Sequence, residues 1–165
     1  MLRFVVLVAF GVASVLAIDK ECFQLATPLA ARCCKTPPPK PLQDESLKEC
    51  FEKFKKSPET AAENKCELEQ CIAKKIGFLA DDGTIDKKAF EARLVEKFKE
   101  HPKLVANMIN NCVNADVKEY GPESTCELLK VDHCLKVQYG MSCPDLDDKG
   151  SCSEIKALAE KCAAE

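Results

Sequence analysis

Histidine is scarce in this sequence: His101 and His133 are its two examples in 165 residues. A Ser-His-Asp or Cys-His constellation therefore has little to draw on, and no serine sits in the glycine-flanked turn of a nucleophile elbow. Sustained apolar/polar alternation bounded by turns is also missing, which removes the usual signature of β-strands. Past the first 17 residues nothing is as continuously apolar as that opening run, whereas a spanning helix needs about 20 such residues, so stable membrane insertion is not expected. Positive charge is not in excess either. The 24 Lys+Arg are balanced by 27 Asp+Glu, for a formal net charge of −3, and the lysines lie among glutamates at helical spacing. That pattern makes solvated helix faces, not a nucleic-acid patch. Neither an enzyme nor a nucleic-acid partner is expected, and no catalytic residue or cofactor is assigned.

Two short motifs invite catalytic or metal readings. The adjacent pair Cys33-Cys34 suggests a secreted phospholipase, in which histidine and aspartate closely follow such a pair. Here the one candidate, Asp132-His133, is reversed in order and far downstream, with no glycine-rich calcium loop before the pair. In "ADDGTID" the acids cluster around Gly83, but a calcium loop needs glycine sixth and glutamate twelfth. Counted from Asp81, glycine is third and Ala92 is twelfth. A turn at Asp82-Gly83 followed by an N-cap at Asp86 accounts for the same residues.

What the chain does have begins with "MLRFVVLVAFGVASVLAIDKEC". Arg3, a short apolar run from Phe4 to Ala17, and Val15 and Ala17 before the cut describe a secretory signal over residues 1–17, cleaved before Ile18. The expected product is a secreted, extracellular chain forming a single domain over residues 18–165. All twelve cysteines follow the signal: Cys22, Cys33, Cys34, Cys50, Cys66, Cys71, Cys112, Cys126, Cys134, Cys143, Cys152 and Cys162. An even number in an oxidising compartment implies up to six disulfides. Thiolate zinc sites favour closely spaced pairs in reducing compartments, so no metal site is expected.

Capped amphipathic helices fill most of the rest. "ESLKECFEKFKK" places Ser46 and Glu49 in capping-box spacing and sets Leu47, Cys50, Phe51 and Phe54 on one face. The next segment has Ser57 as N-cap, Pro58 at the first helical position and Gly77 as C-terminal glycine. A third runs from Asp86, with Phe90, Leu94 and Phe98 four apart, and stops before Pro102, where His101 is expected as a C-terminal cation. "KLVANMINNCVNADV" puts Leu104, Val105, Met108, Ile109, Cys112 and Val113 on one broad face. Ser124 to Glu127 and Ser151 to Glu154 are two further capping boxes, one opening a helix to about Val137 and the other a helix to the C-terminus. Between Cys34 and the first of these helices stand Pro37, Pro38, Pro39 and Pro41, which cannot be helical because each removes an amide donor and fixes φ. The expected fold is all-α: a compact, disulfide-crosslinked bundle of about six or seven helices, with a proline-rich N-terminal strap and an extra C-terminal helix. Cys66 and Cys71 lie five residues apart on one helix, so their sulfurs point roughly 140° from each other.

The cysteine pattern resembles the insect odorant-binding proteins, and specifically their Plus-C branch. The residues that carry the likeness are the core series Cys50, Cys66, Cys71, Cys112, Cys134 and Cys143, together with Cys33-Cys34 before the prolines, the added Cys126, the pair Cys143-Pro144, and Cys152 and Cys162 in a C-terminal extension. "IGFLADDGTIDKKAF" is similar to the family's turn between two helices. The resemblance implies a helical bundle around an apolar pocket. It also implies core bridges Cys50–Cys71, Cys66–Cys134 and Cys112–Cys143; the other six cysteines admit fifteen pairings. Neighbouring sulfurs on a stiff strap can bond to two different elements and stitch the N-terminal segment across the bundle; the alternative is a proline-rich tail whose cysteines pair locally.

The function this implies is a secreted carrier that reversibly binds a small apolar molecule such as an odorant or other semiochemical. Candidate lining residues are Phe90, Leu94, Phe98, Leu104, Val105, Met108, Ile109, Leu128, Val131 and Leu135, with Tyr139 offering a hydroxyl at one end. A sensory receptor or a second protomer is a further candidate partner. Two alternatives remain beside this reading: a disulfide-rich secreted protein acting through its surface, and a general lipid carrier.

Overall fold

A computed structural model describes residues 19–36, 45–54, 61–80 and 82–164. The signal at residues 1–17, the prolines Pro37 to Pro41, the Ser57-Pro58 helix start and Asp81 lie outside the described residues. A 3-10 helix, Lys20–Ala26, opens the described chain and leads into α1, Pro28–Cys33. Then come α2, Glu45–Phe54, α3, Ala61–Lys75, α4, Lys87–Lys97, and α5, Pro102–Met108. A π-helical turn, Ile109–Val113, continues α5, and a short 3-10 turn, Lys118–Tyr120, precedes α6, Glu127–Met141, and α7, Cys152–Ala163. The all-α, disulfide-crosslinked bundle is the architecture observed. Among the described residues no helix is long and apolar enough to cross a membrane.

Local chemistry sets several boundaries as expected. Gly77 takes φ +78°, a left-handed conformation that costs glycine little, and ends α3. The chain then turns back through Asp82-Gly83, where Asp82 Oδ1 accepts from the Thr84 amide at 2.9 Å and Leu79 pairs with Ile85. Asp86 Oδ1 caps α4 by accepting from the Ala89 amide at 3.1 Å. Pro102 begins α5, and His101 stands at its N-cap, donating its backbone amide to Phe98 O, so it serves as a junction residue rather than as a helix C-terminal cation.

Other boundaries differ from the sequence reading. The capping boxes do not form as spaced. Ser46 lies inside α2 while Glu49 pairs with Lys75 instead; α6 starts after Cys126, two residues later than a Ser124 cap would place it, and runs to Met141. Ser151 is the N-cap of α7 without a side-chain cap bond. The segment expected as one helix through Val113 changes geometry at Ile109, where the Asn114 amide bonds to Ile109 O, five residues back. This wider turn carries Cys112, whose bridge to Cys134 ties it to α6.

All twelve cysteines are paired, in two groups. Three bridges hold the middle of the chain: Cys50–Cys71 joins α2 to α3, Cys66–Cys126 joins α3 to the start of α6, and Cys112–Cys134 joins the π turn to α6. Cys50–Cys71 is as the resemblance implied. The expected Cys66–Cys134 and Cys112–Cys143 bridges are corrected: Cys134 faces the π turn from mid-α6, leaving the helix start at Cys126 to meet α3. The divergent sulfurs of Cys66 and Cys71 accordingly reach different helices.

The second group joins the two ends of the chain: Cys22–Cys162, Cys33–Cys152 and Cys34–Cys143. Cys33 closes α1 and Cys34 follows in extended conformation, so the neighbouring side chains diverge, one to α7 and one to the segment after α6. Beside them the Lys35 amide donates to Asp145 O at 2.9 Å and the Asp147 amide to Cys33 O at 2.8 Å, a short antiparallel pairing. The stitched N-terminal segment is thus observed, and bridges local to it are not. It is more helical than a plain strap, because Thr27 caps α1 with Pro28 at its first position.

This N-terminal segment is core, not covering. Leu25 is 2 % exposed and Val137 of α6 is fully buried. The 3-10 helix lies so close to α6 that a Cβ built on Gly140 would sit 2.8 Å from Leu25 Cβ and 3.1 Å from Leu25 O. Lys161 of α7 adds a polar clamp at the edge, with Nζ at 3.0 Å from Asp19 Oδ2 and 2.8 Å from Glu21 Oε2.

Candidate ligand site

The sequence pattern nominated a stripe on the middle and late helices, and folding gathers most of it. Phe90 and Leu94 from α4 with Phe98 at its C-cap, Leu104, Val105 and Met108 from α5, and Val131 and Tyr139 from α6 are all buried in one apolar cluster, with Ile109 and Leu135 packed against it. Leu128 is half-buried and stands outside that cluster. The Tyr139 ring lies beside Phe98, with centroids 6.3 Å apart, and its hydroxyl donates to the Thr36 carbonyl. In this conformation the hydroxyl expected to meet a ligand is engaged by the N-terminal segment. Burial pushes the Tyr139 phenol above its ordinary pKa.

Several residues of the same cluster were not nominated. Phe78 stacks edge-on against Phe90, with centroids 4.3 Å apart, and Phe23 stacks edge-on against Tyr120 at 5.7 Å. Leu25, Val117, Val137 and Ile155 also belong to the cluster. Val137, three residues beyond Cys134 and six beyond Val131, continues the buried stripe of α6 and was legible there. Leu25 was not, because a single short 3-10 turn carries no helical stripe.

Polar groups at the margin are tied down. Gln138, buried on α6, accepts from Asn111 Nδ2 at 3.2 Å. His133 Nδ1 lies 3.0 Å from Tyr120 O, which commits that nitrogen to a structural contact. Burial raises the Tyr120 phenol, an effect opposed by its hydrogen bond with Gln138. Between α3 and α6, burial raises the Glu69 carboxyl above its ordinary value, and the neighbouring Asp132 carboxylate adds to the effect. A carboxyl raised on folding contributes no penalty in acid, and weakens the fold as pH rises through its folded value. Glu69→Gln is therefore expected to raise the urea midpoint at pH 7 and to leave it unchanged at pH 3; equal shifts at both would contradict the assignment.

Beside the core, a solvent-open cleft of about 270 Å³ separates the end of α3 from α4. Its floor is Ile76, Phe78, Ala89 and Ala92, and its rim is Lys75, Arg93 and Glu96. None of the nominated residues lines it, although Phe78 joins it to the Phe90 cluster. Among the described residues no group of three or more His, Cys, Asp or Glu could hold a metal ion.

The arrangement is a helical bundle crosslinked by six disulfides around an apolar cluster. General odorant-binding protein 68 of Anopheles gambiae is 25% identical to this chain over 150 residues, which cover 80% of this chain and 69% of the mosquito protein. No protein-family profile matches the chain, and no solved structure matches it. The likeness is thus to an insect odorant-binding protein, distant in sequence.

Proposed function

We propose that this chain is a secreted carrier, cleaved before Ile18, that reversibly holds a small apolar molecule such as an odorant or other semiochemical among α4, α5 and α6, on a Plus-C version of the odorant-binding-protein fold. The observation that carries the reading is where the crosslinks are not. Every bridge lies outside the stretch between Cys71 and Cys112, so α4 and α5 contain no cysteine while α1, α2, α3, α6 and α7 are each tied by one or more. That stretch supplies Phe90, Leu94, Phe98, Leu104, Val105, Met108 and Ile109 to the apolar cluster. A braced shell thus surrounds α4 and α5, which are anchored at the C-terminal end of α5 by Cys112–Cys134 and elsewhere are held mainly by apolar packing, so that they can part to admit a guest without loss of the frame.

Burial supplies the affinity. A guest hiding ten methylenes gains about 8 kcal/mol at ~0.8 each, a micromolar ceiling before association costs and the cost of parting the helices. Moderate affinity suits a shuttle that must also release. The adaptable thioether of Met108 would help the site fit varied shapes. Phe98→Trp places a reporter in the cluster. Titration with an apolar fluorophore is expected to quench its emission saturably at one site per chain, and the absence of any saturable change would remove the carrier reading.

A second reading, a secreted protein acting through a rigid surface, is favoured by the dense packing of the nominated residues, Leu104 and Met108 being 2 % exposed. Native mass spectrometry of protein from its source separates the two: a co-purifying lipid-like mass supports the carrier, and an empty chain bound to another polypeptide supports the rival.

A further inference from the structure

The open cleft between α3 and α4 is built from one continuous stripe of α4. Ala89, Ala92, Arg93 and Glu96 follow at helical intervals of three, four and seven, a quarter-turn away from the buried stripe of Phe90, Leu94 and Phe98. Gly77 and the Leu79–Ile85 pairing fold the chain back so that this stripe faces Lys75 and Ile76. Because Ala89 and Ala92 end at Cβ, no side chain fills the hollow between them and Ile76. Phe78 closes the floor, with one edge against Phe90 and part of its ring exposed in the cleft.

The rim is charged and its pairs are weakly held. Lys75 Nζ lies 2.7 Å from Glu49 Oε2 and Arg93 Nη1 lies 2.7 Å from Glu96 Oε2, but the two glutamates are 76% and 67% exposed. Exposed pairs of this kind contribute about 0–1 kcal/mol, so a competing anion can displace either carboxylate at little cost. The rim thus holds two cations and two carboxylates, and an anion gains its place by displacing an exposed glutamate rather than from an excess of positive charge. The guanidinium of Arg93 presents a planar fork suited to a carboxylate.

We infer that this cleft is a second, external binding site, separate from the interior cluster, for a small amphiphile with an anionic head: a medium-chain carboxylate whose head meets Arg93 and Lys75 while its tail covers Phe78, Ala89 and Ala92. A neutral apolar molecule gains the floor but not the rim, and an alkylamine meets two cations. The volume of about 270 Å³ lies at the lower edge of small-molecule pockets, which selects short tails over long acyl chains.

The test compares octanoate, octanol and octylamine on the oxidised protein by calorimetry and by amide chemical shifts, using wild type, Arg93→Gln and Ala92→Leu. Octanoate is expected to bind wild type with shifts at Ile76, Phe78, Ala89 and Ala92, to weaken about tenfold in Arg93→Gln, and to be lost in Ala92→Leu. Octanol should be insensitive to Arg93→Gln. Both variants should quench normally in the Phe98→Trp fluorophore titration, which reports on the interior and on folding. Octanoate binding unchanged by both substitutions, shifts confined to the interior cluster, or equal weakening of octanol and octanoate in Arg93→Gln would overturn the site. Because the interior titration is read separately, failure here leaves the carrier reading standing, and failure there leaves this site standing.

Discussion

Replacing the six cysteines of the three terminal bridges with alanine is expected to cost the protein its cooperative fold at room temperature, whereas removing only Cys34–Cys143 should lower its stability by about 3 kcal/mol. The difference comes from nesting. The bridges span sequence separations of 140, 119 and 109 residues, one inside the next. While Cys22–Cys162 and Cys33–Cys152 remain, the innermost bridge closes only a loop of about ten residues, so its loss frees the chain entropy of that short loop alone, about 3 kcal/mol. With all three gone, a loop of more than a hundred residues opens and the combined loss is on the order of 10 kcal/mol, comparable with the whole stability of an ordinary domain. Alanine avoids placing unpaired hydroxyls at Cys22 and Cys33, which are fully buried. Urea denaturation followed by circular dichroism measures both variants. A triple-bridge variant with a near-wild-type midpoint would show that apolar packing of the N-terminal segment suffices alone.

Gly140→Ala should also destabilise the fold, although it replaces glycine within a helix. Alanine in a helix interior is favoured over glycine by about 1 kcal/mol, so propensity alone predicts a gain. Opposing it, the new methyl would meet Leu25 Cβ at 2.8 Å and Leu25 O at 3.1 Å. These atoms belong to the backbone or stay in any side chain, so no rotamer change clears them; the 3-10 helix as a whole must withdraw from α6. Overpacking of this kind costs typically about 1–3 kcal/mol, and with no flexible group to yield the upper part of that range applies. The net loss is about 1–2 kcal/mol, read as a lower urea midpoint with faster amide exchange across residues 20–26. Because Leu25→Ala leaves both the Cβ and the carbonyl in place, it should not rescue Gly140→Ala. A higher midpoint for Gly140→Ala would contradict the close approach.

The middle of the chain was legible because its signals are local. Asp86 caps α4, Gly77 ends α3, Pro102 starts α5, and the Asp82-Gly83 turn forms as short-range chemistry dictates. The capping boxes were misread because their side chains had better tertiary uses or none: Glu49 reaches Lys75, and the Ser124 box is passed over in favour of a start after Cys126. The helices at residues 20–33 went unread because they are short, although Thr27-Pro28 is a cap followed by a first-turn proline. Disulfide partners depend on distances between elements far apart in sequence, which is why one implied core bridge holds and two do not. For the site, the apolar stripes predicted which side chains meet, apart from Leu128. The same stripe describes plain core and a ligand wall equally well, so periodicity carries no information on which it is. The external cleft left no mark in the pattern because it arises from two alanines too short to reach Ile76 across the gap.

The nested arrangement also orders the birth of the molecule. On the secreted reading, Cys22, Cys33 and Cys34 enter the oxidising compartment first, yet their partners Cys143, Cys152 and Cys162 arrive last. The earliest thiols must wait through synthesis of nearly everything else, exposed to capture by Cys50, Cys66 and Cys71 as those appear. Premature closure there would trap a non-native isomer, so correct maturation calls for an exchange catalyst able to reopen such links until the last helix is delivered.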